Sequence, residues 1–149
     1  MSTKRNKYSK NSYFMKLAHL QALRVLGKTK KNPAVGCAIV KNDNIISLGN
    51  TGINGRPHAE QNAINFSKEN IKNSTLYVTL EPCIMCASVI SRAKIKRLYY
   101  GADDLIYGSV NGNINFFQSK NCNHIPEIYD GISKTECESL INNFFKDKR

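Results

Sequence analysis

The sequence predicts an α/β protein with a central mixed five-stranded sheet flanked by helices. Apolar, β-branched segments alternate along the chain with segments of helical periodicity. The first two strand-like segments are separated by a short polar turn, which indicates an antiparallel hairpin. The later ones are separated by helices, and such crossovers are right-handed and give parallel pairing. The predicted strands are residues 35–40, 45–48, 75–80, 95–100 and 127–129.

The helices follow from apolar residues spaced three and four positions apart. The first is predicted at residues 12–27, and the next ones at residues 58–70, 83–92 and 114–118. The last helix is the clearest, because Ser133 and Glu136 form a capping box ahead of a continuous apolar stripe. Residues 1–10 are polar and basic and are expected to form a disordered arm ahead of a single domain, residues 11–149.

Two short motifs carry the chemistry: residues 57–60 are Pro-His-Ala-Glu, and residues 81–86 are Glu-Pro-Cys-Ile-Met-Cys. Each proline is expected at the first position of a helix, where its missing N–H is not needed. The two cysteines, three apart in a first helical turn, then project their thiols from the same face. One imidazole and two thiolates give the three protein ligands typical of a catalytic zinc, whose fourth position is left to water. The predicted zinc ligands are His58, Cys83 and Cys86, with one ion per chain.

Glu60 lies two residues beyond His58 and is well placed to handle a proton of that water. Zinc lowers the pKa of bound water from about 15.7 to about 7, so Glu60 is predicted to take the proton and deliver it to a ring nitrogen and then to departing ammonia. This H-x-E…P-C-x-x-C pattern is the signature of zinc-dependent nucleobase deaminases. A redox pair would leave His58 and Glu60 unexplained. A structural zinc site would need a fourth ligand, and the sequence has no second C-x-x-C or H-x-H pair.

Composition favours a single cytoplasmic domain. A chain of 149 residues with 41% hydrophobic content suffices for one core. The chain has five cysteines, an odd number, and two of them are assigned to the metal. This use of cysteine is typical of a reducing cytosol without disulfides. No apolar run of about 18 residues predicts a membrane span, and the first ten residues lack the apolar segment of a secretory signal.

The chain is strongly basic, with a formal net charge of +11. Between Met1 and Asn42 there are ten Lys and Arg residues and no carboxylate, and three more basic residues lie at the C-terminus. A one-sided basic balance favours a polyanionic partner such as RNA. The alternative is a solvated surface, because the chain is rich in Lys and Asn throughout.

These residues together resemble the cytidine deaminase-like superfamily over nearly the whole chain, which implies a three-layer α/β/α fold. Residues 75–149 resemble the bacterial tRNA adenosine deaminases through the metal segment 76–87, residues 100–103 (Tyr-Gly-Ala-Asp) and the Phe144-Phe145 ending. The resemblance implies hydrolytic deamination of adenosine to inosine at the tRNA wobble position. It also implies that the tail helps to hold the anticodon loop. A homodimer is implied as well, in which Met85 and its neighbours lie near an active site completed by the partner.

Residues 14–64 instead resemble the deaminase domain of riboflavin biosynthesis. The resemblance rests on residues 27–29 (Gly-Lys-Thr), 32–37 (Asn-Pro-Ala-Val-Gly-Cys) and 55–60 (Gly-Arg-Pro-His-Ala-Glu). That family carries a long insertion between its two cysteine ligands, whereas this chain has only Ile84-Met85 there. We therefore favour tRNA adenosine over the riboflavin-pathway substrate, diaminohydroxyphosphoribosylaminopyrimidine. A free base or nucleoside deaminase, or a non-catalytic zinc scaffold, is a lesser alternative.

The substrate contacts are less defined by the sequence than the metal ligands. Asn32 is a candidate for a sugar or base contact, although turn chemistry before Pro33 accounts for it equally well. Thr51 lies near the place of an asparagine that reads the base in the tRNA enzymes. The candidate substrate-binding residues are Asn32, Thr51, Ala59 and Phe145, and the candidate RNA-binding residues are Lys146, Lys148 and Arg149.

Overall fold

The computed structural model describes the backbone of residues 3–112 and 114–148, and the side chains of residues 10–112 and 114–146. Its helices are α1 (Thr3–Leu23), α2 (Ala59–Phe66), α3 (Ile84–Arg92) and α4 (Lys134–Lys148). Its strands are β1 (Gly36–Lys41), β2 (Asn44–Asn50), β3 (Thr75–Leu80), β4 (Arg97–Ala102) and β5 (Glu127–Asp130). The loops contain two short 3-10 helices, Ile53–Gly55 and Phe116–Gln118.

The strands form one mixed sheet in the order β2-β1-β3-β4-β5. β1 pairs antiparallel with both β2 and β3, whereas β3, β4 and β5 run parallel to one another. This arrangement confirms the predicted five-stranded sheet, its hairpin and its parallel portion. Because β1 runs opposite to β3, the start of β1 lies beside the end of β3. We call this side of the sheet the carboxyl edge, and ligand sites form at such edges.

The helices form two layers, one on each face of the sheet. α1 crosses β1 so closely that a side chain at Gly36 would meet the Ala18 carbonyl oxygen. α4 packs on the same face, where a side chain at Gly101 would meet the Cys137 sulfur. α2 and α3 contact each other on the opposite face. The result is the expected three-layer α/β/α fold.

A row of aromatic rings fixes α1 to the sheet. Tyr77, Tyr99 and Tyr129 lie side by side on three neighbouring strands, with stacked ring centroids 4.9 Å and 4.7 Å apart. Asn11 of α1 accepts a hydrogen bond from the Tyr77 hydroxyl at 2.6 Å and donates one to the Tyr99 hydroxyl at 3.2 Å. Phe14 of α1 packs on Tyr77, with ring centroids 5.5 Å apart. α1 is therefore anchored on the face opposite α2 and α3.

The structure differs from the sequence prediction at both ends of α1, which was predicted at residues 12–27 and ends at Leu23, and at the end of α2. α1 begins at Thr3, nine positions before the predicted start at residue 12. The packed part of α1 supplies the nucleus, and no Gly or Pro interrupts the helix as it extends towards the N-terminus. α2 ends at Phe66 and not near Asn70, because Ser67 has extended backbone angles (φ −66°, ψ 128°). Although α1 has 21 residues, no described helix is both long and apolar enough to cross a membrane.

Candidate metal centre and active site

Two helix N-termini bring the predicted zinc ligands together at the carboxyl edge. β3 ends at Leu80 and leads directly into Cys83, which is the N-cap of α3 with extended backbone angles (φ −73°, ψ 172°). Cys86 follows in the first turn of that helix. His58 is the N-cap of α2, and its backbone N–H donates to the Gln61 side chain at 3.1 Å. The three side chains are thus fixed by the starts of two helices in the same layer.

Both prolines lie two positions before the first helical residue, whereas the sequence predicted them at that residue. Pro57 and Pro82 precede the N-cap residues and do not occupy the first helical position. The reason is that His58 and Cys83, which follow the two prolines, have extended backbone angles. Each helix begins only at the next residue. The two cysteine thiols still lie on the same face, because the side chain of an N-cap residue points towards the third residue of its helix. Cys83 therefore still faces Cys86.

The candidate ligand atoms have the spacing of a tetrahedral zinc site. The Nδ1 atom of His58 lies 3.6 Å from Sγ of Cys83 and 3.4 Å from Sγ of Cys86, and all three atoms lie within 4.8 Å of one another. Bonds of about 2.3 Å to sulfur and about 2.05 Å to nitrogen, at the tetrahedral angle, would separate N and S by about 3.6 Å. Among the described residues, these three are the histidine, cysteine or acidic side chains whose ligand atoms lie close enough together to share one metal ion. The donor set and its spacing fit zinc.

The electrostatics of the cluster also favour a cation. Hydrogen bonding from the Cys86 thiol, aided by His58, lowers the pKa of Cys83 to about 4 despite partial burial. The same hydrogen bond raises the pKa of Cys86, because its proton is shared with the Cys83 sulfur. The hydrogen bond to Cys83 raises the pKa of His58. A divalent cation beside the two sulfurs would allow both to bind as thiolates.

Glu60 is a buried carboxyl group beside this cluster. It lies in the first turn of α2, and only 4% of its surface is exposed. Burial is the main cause that raises the pKa of Glu60 to about 7, and the negative charge of Cys83 acts in the same direction. A carboxyl group with a pKa near 7 can both accept and release a proton at neutral pH. Its position and its pKa are those required of a proton carrier.

Thr51 and Asn32 hold the loops that lead to His58. The Thr51 hydroxyl accepts from the Val35 N–H at 2.9 Å and donates to the Pro33 carbonyl at 3.0 Å. Only 2% of the surface of Thr51 is exposed, and its predicted substrate contact stays a prediction. The Asn32 amide nitrogen donates to the Gly55 carbonyl at 2.8 Å. Asn32 therefore links the loop before β1 to the loop before α2, and a contact from its amide oxygen to substrate stays a prediction.

The remaining predicted residues occupy different positions. Ala59 has a fully buried side chain and is the first residue of α2, so its N–H belongs to the first turn, which has no acceptor within the helix. Phe145 is 37% exposed, whereas its neighbour Phe144 is buried against the domain. Lys146 is exposed. The side chain of Lys148, and all of Arg149, lie outside the described residues.

Glu81 has no role in the sequence-based prediction, although its carboxylate is held by backbone N–H groups near the site. Its Oε1 atom accepts the Asp104 N–H at 3.1 Å, and its Oε2 atom accepts the N–H groups of Val110 and Asn111 at 3.0 Å. The available signal was its place directly after an apolar strand, which predicts burial. A buried carboxylate needs hydrogen-bond donors, and these come from residues more than 20 positions away.

Comparison with known proteins agrees with this site. Residues 8–102 match the family model of the cytidine and deoxycytidylate deaminase zinc-binding region. A tRNA-specific adenosine deaminase of Agrobacterium fabrum is 36% identical over 150 aligned residues, which cover 95% of this chain and 97% of that protein. A curated tRNA-specific adenosine deaminase of Rickettsia bellii is 42% identical over 81% of this chain and 91% of its own length.

Solved structures of two kinds share the fold. One, from work on A-to-I editing by tRNA:A34 deaminases at the wobble position of transfer RNA, has a TM-score of 0.74 and 33% identity, covering 86% of this chain and 98% of that chain. The other is a diaminohydroxyphosphoribosylaminopyrimidine deaminase/5-amino-6-(5-phosphoribosylamino)uracil reductase of Thermotoga maritima, with a TM-score of 0.76 and 30% identity. It covers 95% of this chain but only 43% of that larger chain. With a matching family model, whole-length relatives and the His-Cys-Cys group in place, the chain belongs to the cytidine and deoxycytidylate deaminase family of zinc-dependent enzymes.

Proposed function

We propose that this protein is a hydrolytic deaminase that converts adenosine to inosine at the wobble position of tRNA. The observation that carries the proposal is the convergence of His58, Cys83 and Cys86 on one point beside the buried carboxyl group of Glu60. This arrangement supports hydrolytic removal of an amine from a base. Whole-length similarity to tRNA-specific adenosine deaminases supports adenosine in tRNA as the substrate.

His58, Cys83 and Cys86 would hold one zinc ion per chain, and Glu60 would move the protons. When bound there, zinc would supply a nucleophile at neutral pH, because it lowers the pKa of a water molecule to about 7. Glu60 accepts a proton from the attacking water and donates it to the ring nitrogen of the base. It then carries the second proton to the leaving amine, so that adenosine and water become inosine and ammonia. The raised pKa of Glu60 suits both transfers, since the group is neither always charged nor always neutral near pH 7.

The RNA binds the basic C-terminal tail of the chain. Phe145 offers an exposed aromatic face next to Lys146, and Lys148 and Arg149 follow in sequence. An aromatic side chain stacks on an unpaired base, while lysine and arginine neutralise phosphates. The net charge of +11 favours a polyanionic substrate over a small molecule.

A riboflavin-pathway pyrimidine is the second candidate substrate, because the structural similarity to that deaminase domain is as high as to the tRNA enzyme. The local structure disfavours it. Only Ile84 and Met85 separate the cysteine ligands, and both lie in the first turn of α3. The loop that the riboflavin enzymes use to shape their ribose-phosphate site is therefore missing from this position.

A homodimer completes the active site in this proposal. Ile84 and Met85 are 51% and 40% exposed although they flank the zinc ligands. Apolar side chains in such a place are typical of an interface, and a two-fold dimer would bury the same patch on both copies. The second copy would then lie beside the candidate metal site.

The decisive experiment compares the two substrates directly. Purified protein is incubated with an anticodon stem-loop that carries a wobble adenosine and, separately, with the riboflavin-pathway pyrimidine, and the products are identified by mass spectrometry. We expect inosine from the stem-loop and no reaction of the pyrimidine. Turnover of the pyrimidine without inosine would replace the proposed function by the second candidate. No turnover of either by zinc-loaded protein would favour the non-catalytic scaffold.

A further inference from the structure

Glu81 is a buried carboxylate whose described partners are peptide N–H groups and not cations. Only 4% of its surface is exposed, and the ion pairs in the described part of the chain do not include it. Its oxygens accept three backbone N–H groups, from Asp104, Val110 and Asn111. Burial of an unpaired carboxylate is costly, and three charge-assisted hydrogen bonds offset that cost only while the three donors stay in place. Glu81 therefore fixes the two ends of one segment, residues 104–111, which we call the Glu81 loop.

The Glu81 loop is also joined to the backbone beside a zinc ligand. The N–H and the hydroxyl of Ser109 both donate to the Pro82 carbonyl at 3.0 Å. Gly108 forms an antiparallel bridge with Cys83, and a side chain at Gly108 would lie 2.5 Å from the Glu81 carboxyl carbon. The loop can adopt this position against Cys83 only because Gly108 leaves room for the Glu81 carboxylate.

The tip of the Glu81 loop presents apolar side chains to solvent. Leu105, Ile106 and Tyr107 are 92%, 75% and 72% exposed. The Asp104 carboxylate accepts the N–H groups of Ile106 and Tyr107 at 3.1 Å and 3.0 Å, so the tip is a defined turn. An exposed tyrosine held on a rigid turn beside a catalytic site is suited to stack on an unpaired base.

From this arrangement we propose that Glu81 is a positioning residue for the RNA substrate. It holds the Glu81 loop against Cys83 so that Tyr107 contacts a base next to the target adenosine. Glu81 itself touches neither zinc nor RNA. The inference rests on the proposed function, because it takes RNA as the substrate. It adds an RNA contact from the Glu81 loop to the one proposed for the C-terminal tail. It also proposes that a buried carboxylate positions this second contact.

The first arm of the test needs no substrate. Glu81→Gln keeps the size of the side chain but turns an NH2 group towards at least one N–H donor. We expect amides of the Glu81 loop to exchange with deuterium at least about tenfold faster in Glu81→Gln, with the α3 amides unchanged. Glu69→Gln, an exposed glutamate after α2, is the matched control and should exchange as the wild type does. Unchanged exchange in the loop would overturn the proposal.

The second arm measures kinetics on the anticodon stem-loop at a temperature where every variant is fully folded. Glu81→Gln should raise KM about tenfold, with kcat within about twofold and zinc content unchanged. Gly108→Ala should act in the same direction, because its methyl group would displace the Glu81 carboxylate. Loss of zinc, or a fall in kcat without a rise in KM, would show that Glu81 supports the metal site instead and would overturn the proposal.

A double-mutant cycle decides whether Tyr107 is the group being positioned. Tyr107→Ala should raise KM by itself, and Glu81→Gln should then add less than about twofold. Full additivity would overturn the assignment, as would a Tyr107→Ala variant that changes the sedimentation of the protein but not KM. If the wild type forms no inosine from the stem-loop, the proposed function fails and the RNA contact fails with it. The exchange arm still decides whether Glu81 holds the loop.

Discussion

The Nδ1 atom of His58 lies 3.4 Å from Sγ of Cys86, although 28 residues separate them in sequence. This contact joins the start of α2 to the start of α3 at the carboxyl edge of the sheet. The element that precedes each residue places it there. β3 leads into the cysteine motif, and the loop held by Asn32 and Thr51 leads into His58.

The first prediction concerns zinc content. His58→Ala, Cys83→Ala and Cys86→Ala should each purify with far less than one zinc per chain, since two ligands alone do not hold a catalytic zinc tightly. The measurement is metal analysis of dialysed protein by mass spectrometry. Cys122→Ala is the matched control, because Cys122 is a free cysteine outside the ligand group. Full zinc occupancy in all three ligand variants would refute the assignment.

The second prediction concerns the proton carrier. Glu60→Gln should retain zinc and fold but lose at least about a hundredfold in kcat, the usual scale of general acid–base catalysis. Single-turnover deamination of the stem-loop is the measurement, with Glu69→Gln as the control. Loss of zinc in Glu60→Gln would make this residue a ligand, and near-normal turnover would remove it from the proton path.

The third prediction concerns the C-terminal charges. Replacing Lys146, Lys148 and Arg149 together by Gln should lower the slope of log K against log salt by about 2 for a single-stranded loop, because three fewer phosphates are neutralised. Fluorescence anisotropy with labelled stem-loop across a salt series measures this slope. Zinc content and fold should not change.

A charge-matched control separates this effect from the loss of net charge. Gln in place of Lys68, Lys72 and Lys94 removes three charges from loops that precede β3 and β4, at the edge of the sheet opposite the candidate site. This control should leave the slope nearly unchanged. Equal effects of the two triple variants would show that net charge, and not the tail, attracts the RNA.

The fourth prediction concerns the loop clamp. Thr51→Val removes the hydroxyl that bridges Pro33 and Val35, and the Val35 N–H then loses its described partner. The free energy of unfolding should fall by about 1–3 kcal/mol, the usual effect of a buried polar group left unsatisfied. Urea unfolding of zinc-loaded protein measures it. Thr51→Ser, which keeps the hydroxyl, should lose less than half as much. If both variants lose equally, packing of the methyl group and not the hydroxyl stabilises the loop.

The fifth prediction concerns the dimer. Met85→Glu places a charge in the proposed interface and should shift the sedimentation coefficient towards that of a monomer. Leu20→Glu alters a side chain of similar exposure on α1, in the other helical layer, and should leave the assembly unchanged. A wild type that sediments as a monomer at micromolar concentration would contradict the homodimer.

The fold and the metal group were predictable because their signals are local. The apolar residues of β3 and the P-C-x-x-C spacing each lie within a few residues of one another, and α3 follows directly after β3. The helix ends were less predictable. The start of α1, at Thr3 and not at Ser12, depends on how far the packed helix extends through residues of ordinary helix propensity. No residue in this segment signals where the helix begins.

The roles of Thr51 and Glu81 could not be predicted for a different reason. Both act through hydrogen bonds to backbone groups that are 16 to 30 positions away in sequence. Every residue except proline has a backbone N–H, so the residue types at positions 35 and 110 do not reveal the contact. Sequence resemblance placed Thr51 near the substrate, whereas the structure gives its hydroxyl to the loop itself.

Because the candidate ligands lie at the starts of two different helices, the free zinc concentration should affect the stability of the folded chain. Zinc that binds His58 together with Cys83 and Cys86 binds only when α2 and α3 are both docked on the sheet. Free zinc at a hundredfold above its dissociation constant would therefore add about 2.7 kcal/mol to the free energy of unfolding. A cell that is short of zinc would then lose this enzyme through degradation of opened chains, as well as through empty active sites.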